Sequence, residues 1–154
     1  MLSNTKVIAK FFISCCLVLV FLSTVIGGDN PPTKNSFVAS SVSLKQKKIK
    51  AGTEGELLIT LTPKKGIHIN LDPPLSVKLD SSDAVSSIGK PFIPKKDTIF
   101  DTSKPIRFPF TVSKNVKPGN ITIQGILTYF YCSETDGWCS KFKQPLVVKL
   151  TVVK

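Results

Sequence analysis

From residue 38 onward the chain alternates. Leu57, Ile59 and Leu61 interleave with Leu58, Thr60 and Thr62, and Leu75, Val77 and Leu79 with Ser76, Lys78 and Asp80. Ile106, Phe108, Phe110 and Val112 follow the same rule, as do Leu146, Val148, Leu150 and Val152; Val38–Leu44 and Val85–Ile88 follow it more weakly. Period two belongs to a strand with one face in a core, and a helical period is hard to find after residue 30. Turn signals separate the runs: AGTEG, TPKKG, DPP, GKP, KPGN and TDG. About seven or more short strands at such spacing predict an all-β, immunoglobulin-like antiparallel β-sandwich.

The last two strands can be registered from their apolar faces alone. Ile121, Ile123, Leu127, Tyr129 and Tyr131 occupy odd positions, whereas the apolar residues from Gln144 to Val153 occupy even ones. Placing Cys132 opposite Cys139 sets Ile121 against Leu150, Ile123 against Val148 and Tyr129 against Phe142. Both apolar faces then coincide, and a slip of one residue would separate them. The same parity puts the two cysteines on the opposite, more polar face, beside Phe130 and Lys141. Pro145 is the place where a bulge is expected if the strand bends.

The N-terminus indicates the compartment. Lys6 and Lys10 precede FFISCCLVLVFLSTVIGG, an uncharged run that ends in small residues before Asp29. A basic segment, an apolar stretch and a small-residue exit make a secretory signal peptide over residues 1–28, cleaved near Gly27 or Gly28. The run is short for a spanning helix, which needs roughly 20 residues. Cys15 and Cys16 read as apolar filler within it. NPPTKNS reads as a flexible leader over residues 29–35, followed by one domain, 36–154. Of 21 basic residues two, Lys6 and Lys10, lie in the signal, and all 10 acidic ones lie after it, which leaves +9 on the exported part. Its lysines are dispersed, so they read as a solvated face; no nucleic-acid-binding motif accompanies them.

An exported chain can form disulfides, and two mature cysteines can form one. The bridge would close a short loop and stabilise the fold by only about 2.5 kcal/mol in the chain-entropy model. It is therefore either a weak staple or an accessible redox pair, and the spacing is not the C-x-x-C of thioredoxin-like proteins. Glu134 and Asp136 read as turn residues whose charge favours thiol over thiolate. Cys139, near Lys141, is the better placed for a thiolate, and Cys132 the worse. His68 in GIHIN is conceivable as a general base, but a surface or packing histidine is the plainer reading. Two cysteines and one distant histidine make a poor zinc set, and no cofactor-binding fingerprint is present, so neither metal nor cofactor is expected.

GNITIQGILTYFYCSETDGWCSKFKQPLVVKLTV resembles the end of the N-terminal periplasmic domain of the DsbD thiol:disulfide interchange family. Tyr129, Cys132, Gly137, Cys139 and Pro145 match its hairpin pattern. RFPFTV resembles the strand leading into that hairpin, and GIHINLDPPLSVKL a G-x-H-I-N…P segment of divergent relatives. Ser140-Lys141 departs from the family's Tyr-Pro. The resemblance implies a periplasmic, monomeric electron relay that acts on thioredoxin-like partners and is re-reduced by a separate membrane thiol reductase. It implies that Cys139 forms the mixed disulfide and Cys132 resolves it. It also implies an aromatic cap over the pair, for which Phe92 or Phe100 in PFIPKKDTIFDTSKP is the candidate, with Tyr129, Tyr131 and Trp138 packing around it. The alternative from the residues alone is a non-catalytic exported binding or structural domain with a stabilising hairpin disulfide.

Overall fold

Eleven strands follow one another with no helix between them among the described residues, 34–80 and 82–154 of a computed structural model. They are β1 (Val38–Leu44), β2 (Lys48–Lys50), β3 (Glu54–Pro63), β4 (Ile67–Asn70), β5 (Ser76–Leu79) and β6 (Val85–Ile88). They continue as β7 (Lys95–Lys96), β8 (Ile99–Phe100), β9 (Ile106–Val112), β10 (Gly119–Ser133) and β11 (Cys139–Val153). The signal peptide expected over residues 1–28 lies outside the described residues, as does most of the expected leader. Asn35, at the leader's end, is buried: its amide donates to the Tyr129 hydroxyl at 3.0 Å, and its carbonyl oxygen accepts from the backbone of Phe37 at 2.8 Å.

Two sheets form. One has the order β1-β3-β9-β6; the other runs β2-β11-β10-β4-β8-β7, with β5 also paired to β10. With β4 and β5 taken together, these are the ABED and CFG sheets of an immunoglobulin-type sandwich. β2 adds to the second sheet as a parallel neighbour of β11. The alternating faces meet in the middle. Ile59, Leu61, Ile69, Ile106, Leu127 and Tyr129 share one cluster, and Leu57, Phe108, Phe110, Val112, Ile123 and Leu150 share a second. Each cluster draws on both sheets, as inner faces of a sandwich do.

The alternating runs all became strands, and four further short ones joined them. β2 carries a single buried residue, Ile49, too little to show a period. β4 and β5 are separated by Asp72-Pro73-Pro74, where two prolines withhold ladder donors. β7 and β8 form a small hairpin around Asp97, at φ 55°, a left-handed conformation that Asp tolerates better than most residues.

The β10–β11 hairpin is the long spine of the second sheet. Fourteen pairs run from Gly119↔Val152 to Cys132↔Cys139, including Ile121↔Leu150, Ile123↔Val148 and Tyr129↔Phe142. Pro145 sits opposite Ile126 without shifting the register. Gly125 lets β5 approach this spine: a Cβ there would lie 2.5 Å from the Lys78 carbonyl oxygen and 2.9 Å from the Leu79 Cα.

Candidate functional site

The hairpin tip is built by its own turn. Ser133 donates its N–H to the Trp138 carbonyl at 2.9 Å, so residues 133 and 138 are a hydrogen-bonded pair. The next pair down, Cys132 and Cys139, is then of the closer, non-hydrogen-bonded kind. Their Cα atoms are 4.0 Å apart and the sulfurs are bonded at 2.02 Å. Between them, the Ser133 hydroxyl donates to Asp136 Oδ2 at 2.8 Å and accepts the Asp136 N–H at 3.1 Å. Gly137 closes the turn at φ 67°, where a side chain would be strained.

The two sulfur-bearing residues have unlike surroundings. Cys132 lies on a central strand and is 4% exposed, while Cys139, at the start of the neighbouring strand, is exposed. β4 flanks Cys132 on the other side. Glu134 donates its N–H to the Gly66 carbonyl at 2.9 Å, and the register brings His68 opposite Cys132 and Asn70 opposite Phe130. Directly opposed residues share a face. His68, Asn70, Phe130, Cys132, Cys139 and Lys141 therefore occupy one outer patch of the second sheet. Within it the Asn70 amide donates to Cys132 Sγ at 3.1 Å. His68 Nδ1 is 3.4 Å from Glu134 Oε1 and makes no hydrogen bond, although the nitrogen is shielded from solvent. The Lys141 ammonium lies 5.7 Å from the centre of the Phe130 ring.

The aromatic residues expected around the pair lie elsewhere. Tyr129 and Tyr131 point into the core, on the side of the sheet away from the sulfurs, because they fall on odd positions of β10. Burial pushes the Tyr129 hydroxyl up to about 12, against the lowering effect of its hydrogen bond from Asn35. Trp138 packs on that inner side too, edge-on to Tyr131 with ring centres 5.7 Å apart, and to Phe37 at 5.0 Å. Phe100 is 2% exposed and belongs to the core, because the outward position of β8 goes to Ile99, paired with Asn70. Phe92 bridges to β9 of the other sheet, where the Arg107 guanidinium lies 4.6 Å from its ring centre. The ring that shares the cysteines' own face is Phe130, two pairs down the ladder.

Asn70 and the nearness of His68 were missed from the sequence. A signal was present: in Ile67-His68-Ile69-Asn70 the two polar residues alternate with two apolar ones, which marks a short strand with a polar outer face. The expected hostility of Glu134 toward a Cys132 thiolate also changes. Its carboxylate is turned to His68, and the group aimed at the sulfur is an amide donor.

Beside this patch, β8 leaves β4 after the Asn70–Ile99 pair and a cleft of about 490 Å³ opens. His68, Glu134, Lys96, Asp101, Thr102 and Ser103 line its polar part. Among the described residues, no group of three or more His, Cys, Asp or Glu side chains is arranged to hold a metal ion.

The fold and site define an immunoglobulin-like β-sandwich with an asymmetric disulfide at the tip of its longest hairpin. No protein-family model and no curated protein matches the chain. Among solved structures it is similar to the yeast GGA1 GAE domain, at 13% identity and a TM-score of 0.38, over 75% of this chain and 96% of that one. It is also similar to the reduced N-terminal domain of Neisseria meningitidis DsbD, at 18% identity and a TM-score of 0.32, over 82% of this chain and 91% of that one.

Proposed function

We propose that this protein is an exported thiol–disulfide exchange module whose Cys132–Cys139 pair passes electrons to or from thioredoxin-like proteins. The observation that carries this reading is the asymmetry of the bridge. An exposed Cys139 is joined to a buried sulfur that already receives a hydrogen-bond donor, Asn70 Nδ2. Exchange proceeds when a thiolate attacks one sulfur and the other leaves with the electron pair, and a better-stabilised leaving thiolate departs faster. An incoming thiolate reaches Cys139, and Cys132 leaves into the Asn70 amide. In the opposite direction Cys139 attacks the partner's disulfide and Cys132 resolves the mixed disulfide.

A purely structural role explains the bridge less well. The hairpin tip already holds its register through a fourteen-pair ladder and its own turn hydrogen bonds. Closing a loop with a sequence separation of 7 adds only about 2.5 kcal/mol. Export and a periplasmic setting rest on the N-terminal sequence pattern, and the thioredoxin-like partner and a separate membrane reductase rest on the hairpin's resemblance to the DsbD family. The experiment is trapping. Cys132→Ala should accumulate a mixed disulfide through Cys139 with a thioredoxin-like protein, and Cys139→Ala should accumulate little. Equal trapping by both variants would remove the assigned roles, and no trapping by either would leave a staple.

A further inference from the structure

We infer that His68, which has the Glu134 carboxylate beside it, is the group that gives a proton to Cys132 when the disulfide opens and takes it back when the disulfide closes; this rests on the exchange reading above. The need for such a group follows from burial. Cys132 is 4% exposed, so a thiolate formed there has little direct access to water. Asn70 can stabilise that charge through its amide but has no proton to transfer. His68 can do so. It stands directly opposite Cys132 on the same face, in a hydrogen-bonded antiparallel pair, a relation that sets Cβ atoms about 4.5–5.5 Å apart. It is also the chain's one histidine, the side chain type that exchanges protons near neutral pH.

The surroundings of the imidazole support the assignment. Nδ1 is shielded, and the neighbouring carboxylate oxygen is Glu134 Oε1 at 3.4 Å. The Glu134 side chain is 65% exposed and the His68 side chain 24%, and both line the cleft, which gives the relay a path to solvent. The other charged groups on that cleft are Lys96 of β7 and Asp101 after β8. Asp101 is held below the usual carboxylate range by hydrogen bonds from the Ser103 hydroxyl and backbone, and Lys104 is its ion-pair partner at 3.6 Å.

The step balances without a further reagent. A thiolate RS⁻ attacks Cys139 Sγ, the Cys132–Cys139 bond breaks, and its electron pair goes to Cys132 Sγ. The imidazolium of His68 gives its proton to that sulfur, leaving Cys132–SH, a neutral imidazole and a Cys139–S–S–R mixed disulfide; solvent reprotonates the ring. In reverse, His68 takes the Cys132 proton, the thiolate attacks the mixed disulfide, and RS⁻ leaves.

The test uses dithiothreitol as a probe that needs no protein partner. Opening of the disulfide is followed against pH, with each rate divided by the reductant's thiolate concentration. The wild-type protein should open faster on the acid side of neutrality than on the alkaline side. The difference should be on the order of tenfold, less than general acid catalysis usually gives because a thiolate already leaves well. His68→Gln should give a flat profile near the alkaline limit, and Glu134→Gln, which keeps the ring, should retain a pH-dependent profile. A flat wild-type profile, or an unchanged profile in His68→Gln, would overturn the inference. A His68-dependent profile in a protein that does not exchange with thioredoxin-like proteins would refute the functional reading and leave this one standing. Normal exchange with no His68-dependent profile would do the reverse.

Discussion

Asn70 points its side-chain amide at the sulfur of Cys132, 3.1 Å away, although the two residues are 62 positions apart in the chain. β4 and β10 lie side by side, and their register puts Asn70 two pairs below the sulfur, on the same face. A hydrogen bond to a charged acceptor is worth about 1.5–3 kcal/mol and one to a neutral acceptor about 0.5–1.5. This contact therefore strengthens when Cys132 becomes a thiolate.

Asn70→Ala should consequently weaken the reduced, thiolate form more than the disulfide. The expected change is a Cys132 thiol that ionises less readily, by about 1 kcal/mol from the difference between those two bonds. The thiolate's ultraviolet absorbance against pH measures it. The variant should fold normally, because Asn70 is only partly buried. An unchanged thiol titration would show that the amide contributes nothing to the site.

The register makes a graded prediction about stability. Ile123 is 4% exposed and faces Val148, which is half-buried. Ile123→Ala should cost about 2–4 kcal/mol and Val148→Ala about 1–2 in denaturant unfolding. Lys143→Ala and Lys149→Ala, on the exposed face, should stay within about 0.5 kcal/mol. Equal, small losses at all four positions would contradict the assignment of faces.

That register was legible in the sequence because parity encodes it: odd apolar positions on one strand meet even ones on the next, and the cysteines fix the sum. The outer patch was less legible. The sequence of β4 says that His68 and Asn70 share a face, but not which strand that face stands beside. That depends on the pairing of β4 with β10, which buries Ile69 in the shared core. The aromatics misled for a similar reason. Phe100 looks free in a loop, but one pairing of β8 with β4 turns it inward and leaves Ile99 outside.

Tyr129 supplies a pH dependence. Its folded pKa, pushed up to about 12 by burial, exceeds the unfolded value of about 10, so the folded state holds the proton longer. The resulting stabilisation is complete below about pH 10 and is lost as pH rises toward about 12. Tyr129→Phe should lose less stability over that window, although at neutral pH it should be weaker by about 1–3 kcal/mol, because the buried Asn35 amide loses its acceptor. Parallel pH curves for the two proteins would contradict this account.

Gly125→Ala should be among the more damaging single-methyl additions. Its new Cβ would meet backbone of β5 at 2.5 Å and cannot be relieved by a side-chain rotation. A loss of about 1–3 kcal/mol, or more, is expected from thermal or denaturant unfolding. A neutral effect would mean that β5 is held to β10 more loosely than the packing indicates.

The reduction potential of the Cys132–Cys139 pair, measured by equilibration with glutathione or dithiothreitol, tests the central claim most directly. Structural disulfides lie below about −300 mV, whereas exchange pairs lie above it. On the proposed exchange reading, an exposed Cys139 joined to a sulfur that is hydrogen-bonded to an amide is expected to fall in the second group. A potential above about −300 mV is the predicted result. A potential well below that value would make the bridge a staple and contradict the account.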